Sequence, residues 1–188
     1  TFVTLRLTSA MYHRFHAPHA GMVEHVTYLS GDTWNVNPIA LQRVERLFYR
    51  NERALLRMRL SSGPTIALVP VAAVLVASMR FHFLNMHKTL RQRGANETPC
   101  HAPLAKGQQM GWFEHGSTII VFAPPGFVLV EGIESGTRIR CGEALLRVPD
   151  AETAIALTAD QLGRADFDAA GDKTLARLSS TAIAMSKK

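Results

Sequence analysis

Short apolar segments recur along the chain, and glycine, proline and serine separate them. Residues 1–7 and 22–29 alternate apolar and polar positions, a pattern typical of strands with one buried face. Residues 117–122 read STIIVF after a glycine, and this continuous apolar run predicts a fully buried strand. Many short strands between turns predict a mainly β fold of the α+β class, a compact sandwich- or barrel-like domain with a few short helices.

The other segments carry weaker patterns. Further strands are predicted at three places, and one or two buried strands at a fourth: residues 54–60, 127–130, 143–148 and 65–79. Other structure is predicted for the rest: a loop at 12–21, a loop or short helix at 37–47, a helix or loop at 81–92, and irregular chain at 93–103. Strands therefore outnumber helices in the prediction.

One domain and a tail account for the 188 residues. With 47% hydrophobic and 19% charged residues, the chain can bury a substantial core. From Asp150 onward the composition shifts to Ala, Thr and Asp, so we predict a domain at 1–149 and a loosely helical or disordered tail at 150–188. The chain opens on a strand pattern without Met, which leads us to expect a fragment of a longer reading frame.

Neither a membrane-spanning helix nor a disulfide framework is predicted. The longest apolar run, 65–79, has 15 residues and contains Pro70, whereas a span needs about 20. Cys100 and Cys141 cannot form a framework and make no C-x-x-C pair. We therefore expect free thiols in a reducing compartment.

The positive charge is unevenly distributed. The net charge is +6, and no acidic residue lies between Glu52 and Glu97. Seven basic residues occupy that interval: Arg53, Arg57, Arg59, Arg80, Lys88, Arg91 and Arg93. Such a stretch attracts nucleic acid or an anionic membrane, but a solvated surface explains the charge alone equally well.

His13, His16 and His19 follow one another at intervals of three residues. Three imidazoles can ligate zinc. However, Pro18 argues against a helix that would align them, and no Cys, Asp or Glu completes the set before Glu24. We therefore expect no metal site and interpret the segment as a polar loop, unless a nearby partner makes one histidine a base.

Gly116-Ser117 offers such a partner. The serine opens the 117–122 strand, where we expect it to be accessible, and a glycine carbonyl is the least hindered acyl group for attack by the next hydroxyl. An intramolecular N→O acyl shift requires this arrangement. Because Gly-Ser-Thr alone is common in turns, the surrounding residues decide the interpretation.

Four collinear segments form those surroundings. They read YHRFHAP at 12–18, GDTWNVNP at 31–38, LFYRNER at 47–53 and KGQQMGWFEHGSTIIVF at 106–122. In order and spacing they resemble the phosphatidylserine decarboxylase family, whose motifs are Y-H-R-x-H-x-P, G-D-x-x-x-V-N, L-F-x-R-N-E-R, K-G-x-E-M-G-x-F and G-S-[ST]. The resemblance covers residues 1–149.

The resemblance implies self-processing between Gly116 and Ser117. Ser117 would attack the Gly116 carbonyl, and elimination and hydrolysis would leave a pyruvoyl group on the new chain 117–188. The 1–116 chain would stay associated with it. The pyruvoyl ketone, derived from Ser117, would serve as the electron sink for decarboxylation, so no external cofactor and no metal are expected.

The resemblance also assigns the two histidines. His16 matches the base for the self-cleaving serine, and His13 matches the histidine that assists decarboxylation. The family's processing triad includes an Asp well upstream of Thr1, which nothing here matches, since Asp32 belongs to a different motif. Met11 stands where the family usually has Asp before Y-H-R. We therefore expect slow or absent cleavage from the 188 residues by themselves.

The implied function is decarboxylation of phosphatidylserine to phosphatidylethanolamine by a peripheral enzyme at the cytoplasmic face of a membrane. Phosphatidylserine and an anionic membrane surface are the expected partners, nucleic acid is not expected, and a homo-oligomer stays open. Two alternatives remain: a decarboxylase of a soluble amino acid, and an unprocessed, inactive homologue that binds lipid surfaces. Affinity for anionic liposomes separates the first from the implied function, and intact mass separates the second.

Overall fold

The fold is built from three β-sheets, the largest of which has eight strands. The computed structural model describes residues 1–8, 10–74, 78–85, 96–148 and 182–186. The strands are β1 (Phe2–Leu7), β2 (Arg14–His16), β3 (Gly21–Leu29), β4 (Arg53–Leu60), β5 (Thr65–Val71), β6 (Met79–Phe81), β7 (Asn96–Leu104), β8 (Gln109–Phe113), β9 (Ser117–Phe122), β10 (Val128–Leu129), β11 (Arg138–Arg140), β12 (Leu146–Arg147) and β13 (Ala182–Ser186). Two short helices, α1 (Pro38–Arg43) and α2 (Leu47–Arg50), follow β3. The mainly β prediction is confirmed.

The eight-stranded sheet holds β9 between β1 and β5. The strand order is β11-β13-β1-β9-β5-β4-β3-β7, antiparallel except where β13 pairs with β1 and β11. On one side of β9, Ser117 lies opposite Leu7, and on the other side Thr118 lies opposite Val71. The apolar residues Ile119, Ile120 and Val121 suit this place because both faces of the strand are buried, whereas Ser117 and Thr118 are buried polar residues.

The two faces of this sheet bury separate apolar cores. Side chains alternate along β9, so that Ile119 and Val121 enter the first core while Ile120 enters the second. The first core also takes Phe15 and Met110 from the three-stranded sheet. The helical segment closes the second core with Val36, Leu47 and Phe48.

The two helices are short and depend on packing. Asn37 caps α1, because its side-chain oxygen accepts from the Ala40 N–H at 2.8 Å, and Pro38 opens the first turn. With six and four residues, the helices are too short to be stable alone. Across the described ranges, no helix has the length and apolar character needed to cross a bilayer.

The GDTWNVNP and LFYRNER segments meet through a buried asparagine. Asn51 is fully buried, accepts from the Trp34 N–H at 3.0 Å, and donates to the carbonyls of Trp34 and Ala72 at 2.7 and 2.9 Å. The Asp32 carboxylate pairs with Arg50 at 3.0 Å and accepts from the Trp34 indole at 3.0 Å. These two motifs therefore hold the helical segment against the sheet, and Asp32 is engaged there rather than with a histidine.

The three-stranded sheet, ordered β2-β8-β6, carries the histidine segment. β2 and β8 pair so that Phe15 lies opposite Gly111. A Cβ on Gly111 would lie 2.0 Å from the Arg80 carbonyl oxygen and 2.7 Å from the Phe15 ring, so only glycine fits there. Phe15 packs against Phe81 and Phe113, with ring centroids 5.6 and 5.3 Å apart.

Two segments predicted to lack strands contain them. The irregular structure predicted for 93–103 is wrong from Asn96 onward, where β7 forms. β7 lies at one end of the strand order, and an edge strand tolerates Pro99 and Pro103 because one of its sides needs no ladder hydrogen bonds. The loop predicted at 12–21 contains β2, whose pairing with β8 is a tertiary contact that local sequence does not encode.

Other boundaries also shift. The 65–79 run forms β5 and the first residue of β6, while residues 75–77 and 86–95 lie outside the described residues. The predicted strands at 127–130 and 143–148 shorten to β10 and β12, which pair with each other. The sequence analysis does not predict β8 and β11, because Gln108 and Gln109 give the start of β8 a polar sequence and glycine-containing turns surround β11.

The structure describes five residues of the predicted tail, which as a whole stays a prediction. Residues 182–186 form β13, parallel to β1, where a loosely helical or disordered chain was expected. The backbone of β1 provides the hydrogen-bonding partners for β13, so a strand forms where the local sequence predicts none. The remaining tail residues, 149–181 and 187–188, lie outside the described residues, and the domain boundary at 149 stays a prediction.

Candidate functional site

His16 is held at both ring nitrogens. Its Nδ1 atom lies 2.8 Å from the carbonyl oxygen of Gly107, and its Nε2 atom lies 2.7 Å from the Tyr12 hydroxyl oxygen. A carbonyl only accepts, so we assign the proton to Nδ1, and Nε2 then accepts from the hydroxyl. The Tyr12 ring also stacks on the imidazole, with 5.7 Å between centroids and 13° between planes. The orientation of the His16 ring is therefore fixed by contacts at both nitrogens and on one face.

The Gly107 carbonyl is itself fixed against the histidine segment. The Gly107 N–H donates to the Ala17 carbonyl, and the Ala17 N–H donates to the Gln108 carbonyl, each at 2.8 Å. The φ angle of Gly107 is +80°, a conformation that favours glycine. The turn that follows Lys106 and the segment around His16 therefore form one unit.

His13 offers an unpaired nitrogen. Its Nδ1 atom lies 2.7 Å from the Met11 carbonyl oxygen and so carries the proton. Its Nε2 atom is buried and has no hydrogen-bond partner among the described residues. The His13 carbonyl accepts from the Phe113 N–H at 2.8 Å, which anchors the residue on β8. A buried acceptor without a partner is costly, and functional sites are one place where such atoms occur.

Ser117 is fully buried at the first position of β9, contrary to the accessibility expected. Its hydroxyl has no hydrogen-bond partner in the described part of the chain. Because side chains alternate, Ser117 shares the face of Ile119 and Val121. Within the described residues, no hydrogen bond joins Ser117 to His13 or His16. The described residues thus show no direct hydrogen-bonded contact between Ser117 and either histidine.

An apolar cavity of about 480 Å³ lies over this face of the sheet. Its walls include strand residues of the first core, among them Leu5, Leu56, Leu68, Ile119 and Val121. Its lining also has polar side chains that are at least partly exposed: Arg14, His16, His19, Lys106, Arg140 and Glu143. Apolar walls with a charged rim suit an amphipathic molecule.

Acidic residues from outside the predicted basic stretch neutralise part of it. Arg59 pairs with Glu24 at 2.6 Å, and Arg80 pairs with Glu114 at 2.9 Å. The hydrogen bond from Arg59 lowers the pKa of the Glu24 carboxyl below its ordinary value. Lys88, Arg91 and Arg93 lie outside the described residues. Attraction of this stretch to an anionic membrane therefore stays a prediction. Arg14, Lys106 and Arg140 at the rim of the cavity form a second group of basic residues.

The three histidines of the zinc hypothesis have separate partners. His19 Nδ1 lies 2.9 Å from the Ala20 carbonyl oxygen, while His13 and His16 bind the carbonyls of Met11 and Gly107. In the ranges that the structure describes, no three or more His, Cys, Asp or Glu side chains are grouped closely enough to hold a metal ion.

Tyr12 and Gly107 are site residues that the sequence analysis does not assign. Both lie inside the quoted motifs, and a hydroxyl four residues from a histidine is a usable signal for Tyr12. Gly107 gives no such local signal, since 91 residues separate it from His16. Burial, followed by proximity to Cys141, raises the pKa of the Tyr12 hydroxyl, which therefore remains a donor at neutral pH.

Comparison with known proteins finds relatives over most of the chain. The chain is 35% identical to the phosphatidylserine decarboxylase proenzyme of Erwinia tasmaniensis over 162 residues, 81% of this chain and 54% of that protein. It is 36% identical to the proenzyme of Escherichia coli O139:H28 over 168 residues, 82% of this chain and 52% of that protein. It is 33% identical to the proenzyme of Brevibacillus brevis over 147 residues, 77% of this chain and 52% of that protein. The chain spans about half the length of the curated relatives it matches.

Two family models match different parts of the chain. The model for the DNA-binding domain of proline dehydrogenase matches residues 131–188, most of which lie outside the described residues. The expectation of no nucleic-acid partner is untested and stays a prediction. The model for phosphatidylserine decarboxylase matches residues 1–147 and includes all four motif segments. This match extends over more than half of the chain, and the chain therefore belongs to the phosphatidylserine decarboxylase family.

Proposed function

We propose that this protein is a pyruvoyl-dependent enzyme that decarboxylates phosphatidylserine after self-cleavage between Gly116 and Ser117. Family membership supports the reaction class. One observation carries the cleavage site: the Ser117 hydroxyl is buried without a hydrogen-bond partner among the described residues, directly after Gly116.

The proposed cleavage needs water as its only co-reactant. The Ser117 oxygen adds to the Gly116 carbonyl carbon, the C–N bond breaks, and an ester forms. Loss of the Ser117 α-proton then breaks the Cβ–O bond, which releases Gly116 as a carboxylate and leaves dehydroalanine. Hydrolysis of dehydroalanine releases ammonia and leaves the pyruvoyl group at residue 117. That ketone supplies the electron sink for loss of carbon dioxide.

The two histidines are proposed to move different protons. His16 takes the proton of the Ser117 hydroxyl, and His13 assists the proton return to the substrate carbon. Both rings carry a proton on Nδ1, so Nε2 is the basic atom in each. His16 Nε2 accepts from Tyr12 and must exchange that partner to act, whereas His13 Nε2 has no partner among the described residues. This difference supports separate roles.

The cavity favours a lipid over a soluble amino acid. Its apolar walls suit an acyl chain, and Arg14, Lys106 and Arg140 at the rim suit the phosphate of a headgroup. We propose phosphatidylserine and an anionic membrane surface as partners, a peripheral location on the cytoplasmic face, and continued association of chains 1–116 and 117–188.

Intact mass of the protein expressed from its complete natural reading frame tests the proposal. We expect two chains, a hydrazide-reactive carbonyl at residue 117, and carbon dioxide release from phosphatidylserine vesicles. Ser117→Ala should remain one chain. The control Ser62→Ala, in an exposed turn, should be processed normally. A wild-type protein with one chain and an unmodified Ser117 would contradict the proposal.

A further inference from the structure

The two contacts of His16 define a role for a residue that the proposed function leaves unused. We propose that Tyr12 is a positioning residue: its hydroxyl and the Gly107 carbonyl hold the His16 imidazole from opposite ends, in the neutral tautomer that carries its proton on Nδ1. The inference rests on the proposed function only for its effect on cleavage. The geometry of the clamp, formed by Tyr12, His16 and Gly107, is independent of it.

The Gly107 end of the clamp selects the tautomer. The carbonyl oxygen lies 2.8 Å from Nδ1 and has only lone pairs to offer, so Nδ1 must donate. Free neutral imidazole in histidine favours the other tautomer, with the proton on Nε2. The folded chain therefore reverses the intrinsic preference, and it does so with a carbonyl that two backbone hydrogen bonds between Gly107, Ala17 and Gln108 keep in place.

The Tyr12 end of the clamp fixes the rotation of the ring. Its hydroxyl lies 2.7 Å from Nε2, and its ring lies nearly parallel to the imidazole at 5.7 Å. A half-turn of the imidazole would break both hydrogen bonds, whereas without the tyrosine hydroxyl it would break one. Burial raises the pKa of Tyr12, which keeps this hydroxyl a donor.

In hydrolase triads an acid residue orients the histidine through Nδ1, and Nε2 faces the nucleophile. Here a neutral carbonyl occupies Nδ1 and a phenol occupies Nε2, so both ring nitrogens of His16 are in use. His16 is therefore oriented by residues 12 and 107 themselves, within the part of the chain that the structure describes.

Nitrogen NMR of the 188-residue chain with 15N-labelled histidine tests the clamp directly. We expect wild-type His16 to show a protonated Nδ1 and an unprotonated Nε2. Tyr12→Phe, which keeps the ring but removes the donor, should shift the Nε2 resonance and admit the second tautomer. Tyr49→Phe, an exposed tyrosine remote from the site, should leave the His16 signals unchanged. A wild-type His16 protonated on Nε2, or identical spectra for wild type and Tyr12→Phe, would overturn the inference.

A second variant tests the carbonyl end. Gly107→Ala strains a backbone with φ of +80° and should displace the carbonyl, so that the His16 tautomer becomes mixed. Gly126→Ala is the matched control, because its φ is +94°, its surroundings are equally open, and it lies in a different turn. The signals of His101 on β7 report whether each variant remains folded. A folded Gly107→Ala with wild-type His16 signals would remove the carbonyl from the clamp.

Cleavage of the natural protein separates this inference from the proposed function. Tyr12→Phe frees Nε2, but it also admits the tautomer with Nε2 protonated, which cannot accept the Ser117 proton. We expect the second effect to prevail and cleavage to be roughly two- to tenfold slower, as for the loss of one neutral hydrogen bond. Tyr12→Ala, which also loses the stacked ring, should be slower still. If Tyr12→Phe changes the tautomer but cleaves at the wild-type rate, the positioning role fails. If the tautomer behaves as expected but wild type never cleaves, the clamp stands and the proposed function fails.

Discussion

The Nδ1 atom of His16 lies 2.8 Å from the carbonyl oxygen of Gly107, although 91 residues separate the two along the chain. The contact joins the segment that contains both candidate histidines to the turn that leads through β8 toward Gly116 and Ser117. A hydrogen bond therefore connects the proposed base to the segment that leads to the proposed cleavage site. Changes in that turn should reach the chemistry even where they touch no reacting atom.

The two histidines should separate cleavage from turnover. His16→Ala should block cleavage, because the oriented base is lost, while His13→Ala should be cleaved and decarboxylate about 100- to 10,000-fold more slowly. Intact mass measures the first effect and carbon dioxide release the second. His101→Ala, at an exposed position on β7, is the control. Uncleaved His13→Ala together with fully cleaved His16→Ala would reverse the assignment, and stoichiometric bound zinc would revive the metal interpretation.

Removing the buried asparagine should destabilise the fold without touching the site. Asn51→Ala leaves the carbonyls of Trp34 and Ala72 without their donor, at a cost of about 1–3 kcal/mol for each group that stays unsatisfied. Urea unfolding measures the loss. Asn35→Ala, whose side chain makes an exposed hydrogen bond to the Asn37 N–H, should cost clearly less. Equal unfolding midpoints for the two variants would show that the Asn51 contacts contribute little.

Stability should fall in acid partly through Glu24. Its pKa lies below the ordinary value of 4.5 because it accepts a hydrogen bond from Arg59, so its contribution is present above pH 4.5 and is lost as the pH falls through the folded pKa. Glu24→Gln should therefore be less stable than wild type near neutrality, with the difference shrinking in acid. Urea unfolding across pH measures this, with exposed Glu131→Gln as the control. A constant difference across the range would rule out titration of Glu24 as the cause.

Binding to vesicles should depend on anionic lipid and on salt. Each basic residue near an anionic surface contributes about 1 kcal/mol, and screening acts over about 8 Å at physiological ionic strength. Co-sedimentation should therefore favour anionic over neutral vesicles and weaken as salt rises.

The same assay can locate the surface that binds. Lys106→Gln with Arg140→Gln removes two charges from the cavity rim, and Arg43→Gln with Arg46→Gln is the control, because it removes two exposed charges outside both the rim and the basic stretch. The rim variant should lose more binding. Equal binding to neutral and anionic vesicles would point to an apolar contact, and no binding to either would favour a soluble substrate.

Local pattern predicts β3 and β9 and misses the edge strand β7. The apolar run of β9 is visible in the sequence because both faces of that strand are buried. The alternation of β3 is visible because apolar residues occupy the buried face and polar residues the other. The sequence of β7 contains Pro99 and Pro103 and predicts irregular chain. The strand nevertheless pairs with β3, because an edge strand needs ladder hydrogen bonds on one side only.

The site was predictable in its chemistry and not in its contacts. The motifs led to His13, His16 and Ser117 as candidates, since imidazole and hydroxyl groups carry recognisable chemistry. The clamp from Tyr12 and Gly107 depends on how two distant segments pair, which single residues do not reveal. The burial of Ser117 likewise comes from neighbouring strands on both sides, not from the Gly-Ser step.

The central position of β9 has a mechanical consequence for a cleaved protein. The proposed break would fall at the first residue of a strand that is bonded to β1 on one side and to β5 on the other. Both neighbours belong to the 1–116 chain, so β9 of the smaller chain would lie between two strands of the larger one. Its release would require breaking three ladders, because β13 of the same chain also pairs with β1. A cut molecule should therefore copurify as one particle in native buffers and separate into two chains only in denaturant.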